Sequence, residues 1–245
     1  MAAAPGVKKI REVRALCERP SARRKTGLFA VEGERIYAEI PPEDIEAVYM
    51  SEGYMRSHPG ERCDYVLKDG DFVKLADTKH PQGVLAVVRQ KKYVLEDVPA
   101  GGLYIILETI QDPGNLGTII RTAEAAGATA VVMNRGCADI YSPKVVRSTM
   151  GSVFRVPFIY TDDLGEAVRK IKGLGITVYG AALSGESISG IKLDKRRAFI
   201  IGNEACGITD ETLELADMTI RIPMAGRVES LNAAVSAAIL MYLDT

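Results

Sequence analysis

The chain has 245 residues, of which 47% are hydrophobic and 26% are charged, and its formal net charge at pH 7 is −1. This balance is typical of a folded globular protein and excludes a disordered chain, a collagen-like chain and an integral membrane body. The four cysteines, at positions 17, 63, 137 and 206, form no Cys-x-x-Cys pair, and the two histidines add no ligand cluster. We therefore expect reduced thiols, no metal, no membrane span and a cytoplasmic protein.

The first third of the chain alternates short predicted helices and strands. Apolar residues recur at helical spacing in the first helix, and β-branched or aromatic runs mark the strands. The predicted helices cover residues 8–17, 34–40 and 71–75, and the predicted strands cover 28–31, 45–50 and 84–88. Charges, a proline and paired glycines then indicate a linker. We predict a small α/β domain over residues 1–90 and a linker over 91–102.

Residues 103–245 alternate short apolar runs with amphipathic segments. The predicted strands cover 103–107, 130–133, 156–160, 176–181, 198–201 and 218–222. The predicted helices cover 117–126, 143–150, 164–174, 210–215 and 231–243. Near-continuous Val, Ile and Leu runs are typical of strands covered on both faces, so we predict a mostly parallel sheet with flanking helices.

Charge is distributed unevenly in the first 50 residues. Residues 1–25 contain eight Lys or Arg against two Glu, whereas residues 26–50 contain six acidic residues against one Arg. The run Arg23-Arg24-Lys25 is open to two interpretations, a phosphate-binding patch or a solvated helix end that suits the helix dipole. Charge alone favours the solvated helix end.

Three segments that follow predicted strands are polar and contain glycine. In an open α/β sheet, ligands bind beyond the carboxyl ends of the strands, so these segments are the candidate site. They are residues 108–117, which precede a helix bearing Arg121, residues 202–207, where two glycines bracket Glu204, and residues 223–232, where Ser230 is the predicted helix N-cap. Each alone fits ordinary turn chemistry, but three in one domain favour a site.

The same segments resemble the three ordered motifs of the SpoU, or TrmH-like, branch of the SPOUT RNA methyltransferases. They read Asn-Leu-Gly-Thr-Ile-Ile-Arg-Thr-Ala from residue 115, Ile-Gly-Asn-Glu-Ala-Cys-Gly from residue 201, and Ile-Pro-Met from residue 222 with Glu-Ser-Leu-Asn-Ala-Ala-Val from residue 229. The resemblance covers residues 103–245 and includes residues 142–152. Residues 8–90 resemble the substrate-binding domain that often precedes this family's catalytic domain.

The resemblance implies an S-adenosylmethionine-dependent RNA 2′-O-ribose methyltransferase whose C-terminal strands and helix form a deep trefoil knot and whose catalytic domains pair as a homodimer. By the same resemblance, the reaction centre comprises Asn115, Arg121, Glu204, Ser230 and Asn232. The cofactor contacts are Gly202, Ile222 and Leu231, largely through backbone groups, which can hydrogen-bond an adenine edge. We predict RNA contacts from Arg23, Arg24, Lys25, Lys144 and Arg147.

Two features of the predicted site leave alternatives open. The resemblance implies that Arg121 is a general base, yet a guanidinium stays protonated in proteins, so Arg121 could instead hold a phosphate and stabilise developing alkoxide charge. Cys206 is a potential nucleophile, but no histidine lies near it in the sequence, and we interpret it as a small filler residue.

Other function classes are weaker. A non-catalytic RNA-binding or ribosome-assembly protein would not need five polar site residues together. A Rossmann-type nucleotide enzyme is excluded because no Gly-x-Gly-x-x-Gly follows the first strand of either domain. We favour ribosomal RNA as the substrate, with transfer RNA as the alternative. The predicted helix at 231–243 is apolar around most of its surface, which also favours a homodimer.

Overall fold

The computed structural model describes residues 3–243, which form two compact units. Residues 3–91 and 139–154 form unit 1, and residues 92–138 and 155–243 form unit 2. Residues 139–154 lie within the predicted catalytic domain, residues 103–245, and in the structure they pack with the N-terminal residues. One reason is aromatic packing, because the Phe29 ring centroid lies 4.5 Å from that of Tyr141 and 6.2 Å from that of Phe154.

Unit 1 is built on a mixed sheet of four strands. The strands are β1 Leu28–Glu32, β2 Ile45–Ser51, β3 Tyr65–Leu67 and β4 Val84–Arg89. Their order is β1-β4-β2-β3; β4 is antiparallel to both β1 and β2, and β2 is parallel to β3. The helices of this unit are α1 Val7–Glu18, α2 Pro20–Thr26, α3 Glu34–Tyr37, α4 Glu52–Ser57, α5 Asp69–Leu75 and α7 Pro143–Thr149, with 3-10 turns at Pro42–Asp44 and Ser152–Phe154.

Three elements of unit 1, namely α2, α4 and β3, are not among the predicted helices and strands. The signals for α2 were present, because Pro20 occupies its first position and Gly27 ends it in a left-handed conformation with φ of 66°. All three elements are seven residues or shorter, so hydrophobic periodicity has too few positions to reveal them.

Unit 2 is built on a parallel sheet of six strands, which confirms the predicted fold class. The strands are β5 Leu103–Leu107, β6 Ala130–Asn134, β7 Phe158–Thr161, β8 Thr177–Ser187, β9 Arg197–Ile201 and β10 Met218–Arg221. Their order is β10-β8-β9-β5-β6-β7, and every residue of the central strands β5 and β9 is buried. The helices are α6 Pro113–Ala125, α8 Leu164–Gly173, α9 Asp210–Leu213 and α10 Ala233–Met241, with a 3-10 turn at Leu95–Asp97.

Two predicted helix starts in unit 2 were wrong. Helix α6 begins at Pro113, four residues before the predicted start, because the Asp112 side chain caps it by accepting from the Asn115 amide. Helix α10 begins at Ala233 and is capped by Asn232 rather than by Ser230. As a result, Asn115 lies in the first turn of a helix and Asn232 lies at the N-terminus of another.

Strand β8 runs six residues further than predicted. Its pairing with β10 jumps from Gly180 opposite Thr219 to Glu186 opposite Ile220, so residues 181–185 leave the ladder between the two paired stretches. The predicted linker is also partly packed, because Val98 is buried in the core of unit 2. No helix within residues 3–243 is long and apolar enough to cross a membrane.

Candidate active site

The carboxyl ends of the parallel strands surround a pocket of about 570 Å³ in unit 2. Its lining comes from five parts of the chain, namely residues 181–184, residues 201–208, Asp210 and Leu213 of α9, residues 220–222, 224 and 229–231, and one side of α10. The predicted cofactor residues Gly202, Ile222 and Leu231 all line this pocket. A parallel sheet brings these distant segments together because all its strands end at the same edge.

Residues 202–208, which we call the cofactor loop, turn tightly between β9 and α9. Asn203 and Gly207 exchange backbone hydrogen bonds of 3.0 and 2.9 Å, and Gly207 has a φ of 72°. A Cβ atom on Gly202 would lie 2.2 Å from the carbonyl carbon of Gly207, which leaves room only for glycine. The tight turn also exposes Glu204.

Three predicted catalytic side chains form a hydrogen-bonded chain beside the pocket. Asn232 Nδ2 donates to Asn115 Oδ1 over 2.9 Å, and Asn115 Nδ2 donates to Glu204 Oε1. Each Asn is fixed from its own helix end, because the cap Asp112 holds the Asn115 amide and the Asn232 side chain accepts from Ala234. Three segments separated by 89 and 117 residues thus converge on one polar cluster.

The other two predicted catalytic residues lie outside this chain of hydrogen bonds. Ser230 is exposed and lines the pocket. Arg121 is exposed on α6 and makes no hydrogen bond or ion pair with any residue the structure describes. Asn115 and Arg121 are six residues apart on α6, and their side chains therefore point about 120° apart around the helix axis. The two side chains lie on different faces of α6. The Arg121 guanidinium is free to bind an anion.

The five predicted RNA contacts all belong to unit 1, and Arg23 is not available for this role. Only 3% of the Arg23 side chain is exposed, and it forms an ion pair of 2.9 Å with Asp139. Its Nη1 also donates to the carbonyls of Leu16 and Cys17. Arg23 therefore satisfies the carbonyl groups at the end of α1, where a helix lacks internal partners.

The remaining predicted RNA contacts differ in their surroundings. Arg24 and Lys25 are exposed and make no hydrogen bond or ion pair with other residues in the described range. Lys144 is exposed on α7, whereas Arg147 forms an ion pair of 2.8 Å with Asp77. Arg24 and Lys25 are the strongest candidates for phosphate contacts.

The cysteines show no sign of nucleophilic activation. Burial raises the pKa of Cys137 to about 11 and that of Cys17 to about 12, so both thiols are protonated at neutral pH. Cys206 is exposed at the pocket, and no histidine is among the residues that line this pocket. Within residues 3–243, no group of three or more His, Cys, Asp or Glu side chains is placed to hold a metal ion.

Comparison with protein families gives two matches. Residues 102–242 match the SpoU rRNA methylase family, and residues 8–86 match the MRM3-like substrate-binding domain. The chain belongs to the SpoU rRNA methylase family. The resemblance noted in the three motifs is thereby confirmed, and the second match agrees with the resemblance noted for the N-terminal residues.

Three known proteins are similar to this chain over nearly its whole length. The chain is 37% identical over 226 residues to the 23S rRNA (guanosine(2553)-2′-O)-methyltransferase RlmP of Bacillus subtilis, covering 90% of this chain and 89% of that protein. The structure of an AdoMet-bound rRNA methyltransferase from Sinorhizobium meliloti is 28% identical with a TM-score of 0.84, covering 98% and 95% of the two chains. The SpoU methyltransferase AviRb of Streptomyces viridochromogenes in complex with AdoMet is 26% identical with a TM-score of 0.82, covering 96% of each.

Two residues that are not among the predicted site residues, Glu108 and Thr109, form hydrogen bonds with residues of the second SpoU motif and of the segment that follows it. Glu108, directly after β5, is 7% exposed and accepts from Thr209 and Thr212. Thr109 has a φ of 58°, which is rare for a β-branched residue, and its carbonyl accepts from Asn203. The available signal was a carboxylate at the end of an apolar run, in a position that predicts burial.

Proposed function

We propose that this chain transfers the methyl group of S-adenosylmethionine to a ribose 2′-hydroxyl of ribosomal RNA. The observation that carries the proposal is the hydrogen-bonded chain of Asn232, Asn115 and Glu204 at the edge of the pocket. A purely RNA-binding protein has no need to hold three polar side chains in one orientation beside a glycine-lined cavity. Members of the family that share both regions of this chain carry the names of 23S rRNA 2′-O-methyltransferases.

The residues of the pocket fit S-adenosylmethionine. The volume of about 570 Å³ lies within the range of small-molecule sites, and Gly202 keeps the backbone open to a ligand. The charged lining residues are the three carboxylates of Glu204, Asp210 and Glu229 and the guanidinium of Arg221. They complement the sulfonium, the ammonium and the carboxylate of this cofactor. Gly202, Ile222 and Leu231 would hold it.

Most of the rate enhancement is expected from positioning. When bound, S-adenosylmethionine supplies a methyl group on a positively charged sulfur. The chain's own residues orient the acceptor: Asn115 holds one oxygen of Glu204, and the other oxygen, which bonds to no described residue, is free to accept a hydrogen bond from the ribose hydroxyl and then its proton. The two Asn side chains keep this carboxylate in a single orientation.

Arg121 completes the proposed mechanism as a cation. Its guanidinium has no partner within residues 3–243, so it is free to hold the phosphate next to the target ribose and to stabilise negative charge on the attacking oxygen. A role as general base would require a neutral guanidine, which is disfavoured by its high intrinsic pKa. The pH dependence of an Arg121→Lys variant separates these two roles.

Unit 1 supplies the proposed RNA affinity. It matches a substrate-binding domain, and it carries Arg24, Lys25 and Lys144 on its surface. Ribosomal RNA is favoured over transfer RNA because the relatives that match both units are named for 23S rRNA. A ribosomal substrate in turn favours a cytoplasmic location.

A homodimer is supported by the exposed face of α10. One face of this helix is buried against α6 and β9. The other face carries a stripe of Val235, Ala238, Ile239 and Tyr242 at helical spacing, with Val235 47% and Tyr242 50% exposed. An apolar stripe of this kind is typical of a surface that is covered by another chain.

The dimer is tested by light scattering at micromolar concentration. Val235→Lys places a charge in the stripe and is expected to yield monomers, whereas Val94→Lys, at a valine of similar exposure elsewhere in unit 2, is expected to leave the dimer intact. A monomeric, active wild-type protein would exclude the dimer.

The trefoil knot implied by the resemblance is supported by one close passage of backbone at the pocket. A Cβ atom on Gly185 of β8 would lie 2.6 Å from the backbone of Ile220 of β10. Glycine allows two backbone segments to pass this closely, which the passage of one segment through a loop of another requires. The knot is tested by mechanical unfolding, in which a knotted chain retains a shortened contour length.

The RNA target is tested by mapping ribose methylation across total RNA from cells with and without the gene. We expect 2′-O-methylation to disappear at a ribosomal RNA position in the absence of the gene and to return with the wild-type copy. Loss at a transfer RNA position alone would overturn the ribosomal assignment. Unchanged methylation at every position would favour the non-catalytic alternative.

A further inference from the structure

Glu108 is a buried carboxylate for which the proposed mechanism has no use. It follows β5 directly, is 7% exposed, and does not line the pocket. Its side chain contacts no cation within residues 3–243, although a buried charge without compensation is strongly unfavourable. Three donors compensate it instead, namely the Thr209 amide at 2.9 Å, the Thr209 hydroxyl at 2.8 Å and the Thr212 hydroxyl at 2.9 Å.

These bonds hold the cofactor loop at both of its ends. The Glu108 amide donates to the carbonyl of Ile201, the residue before the loop, over 2.9 Å. The Glu108 carboxylate accepts from Thr209, the residue after the loop. A single residue on the neighbouring strand thus fixes the distance between the two ends of residues 202–208.

The next residue holds the interior of the loop. The Thr109 carbonyl accepts from Asn203 Nδ2 over 2.9 Å. Thr109 keeps its left-handed backbone conformation because Asn134 bonds it twice, accepting from its amide and donating to its hydroxyl. The loop is therefore held just before its first residue, at its second residue and just after its last residue.

We propose that Glu108 is a positioning residue that preorganises the cofactor loop. The proposal rests on the proposed function, because the loop is taken to contact S-adenosylmethionine. Without these bonds, a loop with glycine at both ends would sample many conformations, and ligand binding would have to order it. In Glu108→Gln, a side-chain NH2 group would replace one carboxylate oxygen. This group is a donor and cannot accept the hydrogen bonds that Thr209 and Thr212 now donate to the carboxylate. Cofactor affinity should therefore depend on a residue that does not touch the cofactor.

Unit 1 offers a matched control, since Glu32 is also 7% exposed. Its carboxylate accepts from the amides of Asp77 and Thr78 and from the hydroxyl of Thr78. Glu32→Gln and Glu108→Gln thus make the same chemical change in sites of the same burial and the same donor types. A general loss of stability would affect both variants, whereas positioning of the cofactor loop involves only Glu108.

The test measures binding of S-adenosylhomocysteine by calorimetry and amide hydrogen exchange of the ligand-free protein. We expect Glu108→Gln to raise the Kd roughly tenfold, which corresponds to loss of a charged hydrogen bond, and to speed exchange across residues 202–208. Glu32→Gln should leave both quantities unchanged. Thr212→Val, which removes one donor at nearly constant volume, should shift them in the same direction by a smaller factor and serves if Glu108→Gln fails to fold.

Two results would overturn the proposal. One is an unchanged Kd and unchanged exchange of residues 202–208 in folded Glu108→Gln. The other is an equal rise in Kd for Glu108→Gln and Glu32→Gln. A wild-type protein that does not bind S-adenosylhomocysteine would refute the proposed function instead, and the exchange measurement would still decide whether Glu108 orders the loop.

Discussion

Each of the two units has a buried glutamate that holds a loop, and the two loops differ in their residues. In unit 1 Glu32 is the last residue of β1, and in unit 2 Glu108 directly follows β5, so each is a buried carboxylate at the end of its unit's first strand. Both accept from backbone amides and threonine hydroxyls. Glu32 holds the start of a loop whose exposed residues include Lys79 and His80, whereas Glu108 holds the cofactor loop. In both units the buried glutamate fixes the conformation of a loop, and the residues of the loop determine what it can bind.

The difference between the units comes from strand direction. All six strands of unit 2 run parallel, so the segments after β5, β9 and β10 gather at one edge and build the pocket with its polar cluster. The sheet of unit 1 is mixed, with β4 antiparallel to its neighbours, so its loops leave at both edges. A parallel sheet collects polar groups into a site, and a mixed sheet distributes them over a surface.

The largest effect is expected for substitution of Arg121 in unit 2, which should lower turnover and leave cofactor binding unchanged. Arg121→Ala should lower the single-turnover rate of methyl transfer roughly 10²- to 10³-fold, the effect of removing one donor that stabilises developing negative charge. Arg121→Lys should retain part of the rate, independently of pH if the charge acts on phosphate or alkoxide. Cofactor affinity should not change, because Arg121 lies outside the pocket.

Arg169→Ala, at an exposed arginine on α8, is the matched control and should keep full activity. Near-normal turnover by Arg121→Ala on saturating RNA would refute a catalytic role. A rate for Arg121→Lys that rises with pH would favour the general base, since lysine has the lower reference pKa.

The next effect tests whether the parallel sheet of unit 2 builds the cofactor site. Gly202→Val should abolish measurable binding of S-adenosylhomocysteine, a loss of roughly 100-fold or more, because its Cβ would overlap backbone atoms that cannot move aside. Gly226→Ala is the control, since nothing lies within 4 Å of a Cβ atom there. Calorimetric titration of both variants, with and without a chelator, also tests the prediction that no metal is needed. Unchanged affinity in Gly202→Val would remove this residue from the site.

In the basic run of unit 1, we expect Arg23 to stabilise the fold and Arg24 and Lys25 to bind RNA. Arg23→Met should lower the free energy of unfolding by about 3 kcal/mol, because it leaves Asp139 and two helix-end carbonyls without their partner. Arg14→Met removes a half-exposed ion pair with Glu18 and should cost less than about 0.5 kcal/mol. Denaturant unfolding measures both, and equal stabilities would show that Arg23 is not buried in solution.

Charge reversal at Arg24 and Lys25 should weaken RNA binding and leave the free energy of unfolding unchanged. Each phosphate contact that is lost should reduce the slope of log affinity against log salt by about 0.7 to 0.9. Lys192→Glu with Lys195→Glu makes the same change of charge on exposed residues of unit 2 and should have the smaller effect. If both pairs weaken RNA binding equally, the effect is one of net charge, and the patch on unit 1 is a solvated face.

The smallest expected effect is on the alkylation of buried thiols, of which Cys17 reports on unit 1 and Cys137 on unit 2. Burial raises the pKa of Cys17 in unit 1 to about 12 and that of Cys137 in unit 2 to about 11, from an ordinary value of 9.0. At pH 8 an alkylating reagent should modify exposed Cys206 first, and Arg23→Met should speed labelling of Cys17 but not of Cys137. Because the unfolded thiols ionise near pH 9 and the folded ones do not, the free energy of unfolding should fall as pH rises above 9.

Much of the fold was predictable, because its strands are long enough to carry a pattern. Strand β5 has the bounds that the apolar run at 103–107 predicts. Helix α6 was predicted too short because Pro113-Gly114 is also typical of a turn, and only the Asp112 cap decides between them. The extension of β8 beyond Ala181 depends on pairing with β10, which no local pattern encodes.

The family resemblance predicts the members of the candidate site but not the hydrogen bonds between them. The family resemblance supplied Asn115, Glu204 and Asn232, yet their hydrogen bonds join positions 89 and 117 residues apart. Arg23 was assigned to RNA because its neighbours are basic, whereas its burial depends on Asp139, far along the chain. Contacts over such separations depend on tertiary packing, which a local sequence pattern does not specify.

The central claim is most directly tested by methyl transfer to ribosomal RNA in vitro. Purified protein is incubated with S-adenosylmethionine labelled on the methyl group and with ribosomal RNA from cells that lack the gene, and the RNA is digested to nucleosides for mass spectrometry. We expect label on a 2′-O-methylated nucleoside with the wild-type protein and none with Gly202→Val. Label on a base, or no label with a wild-type protein that binds both partners, would contradict it.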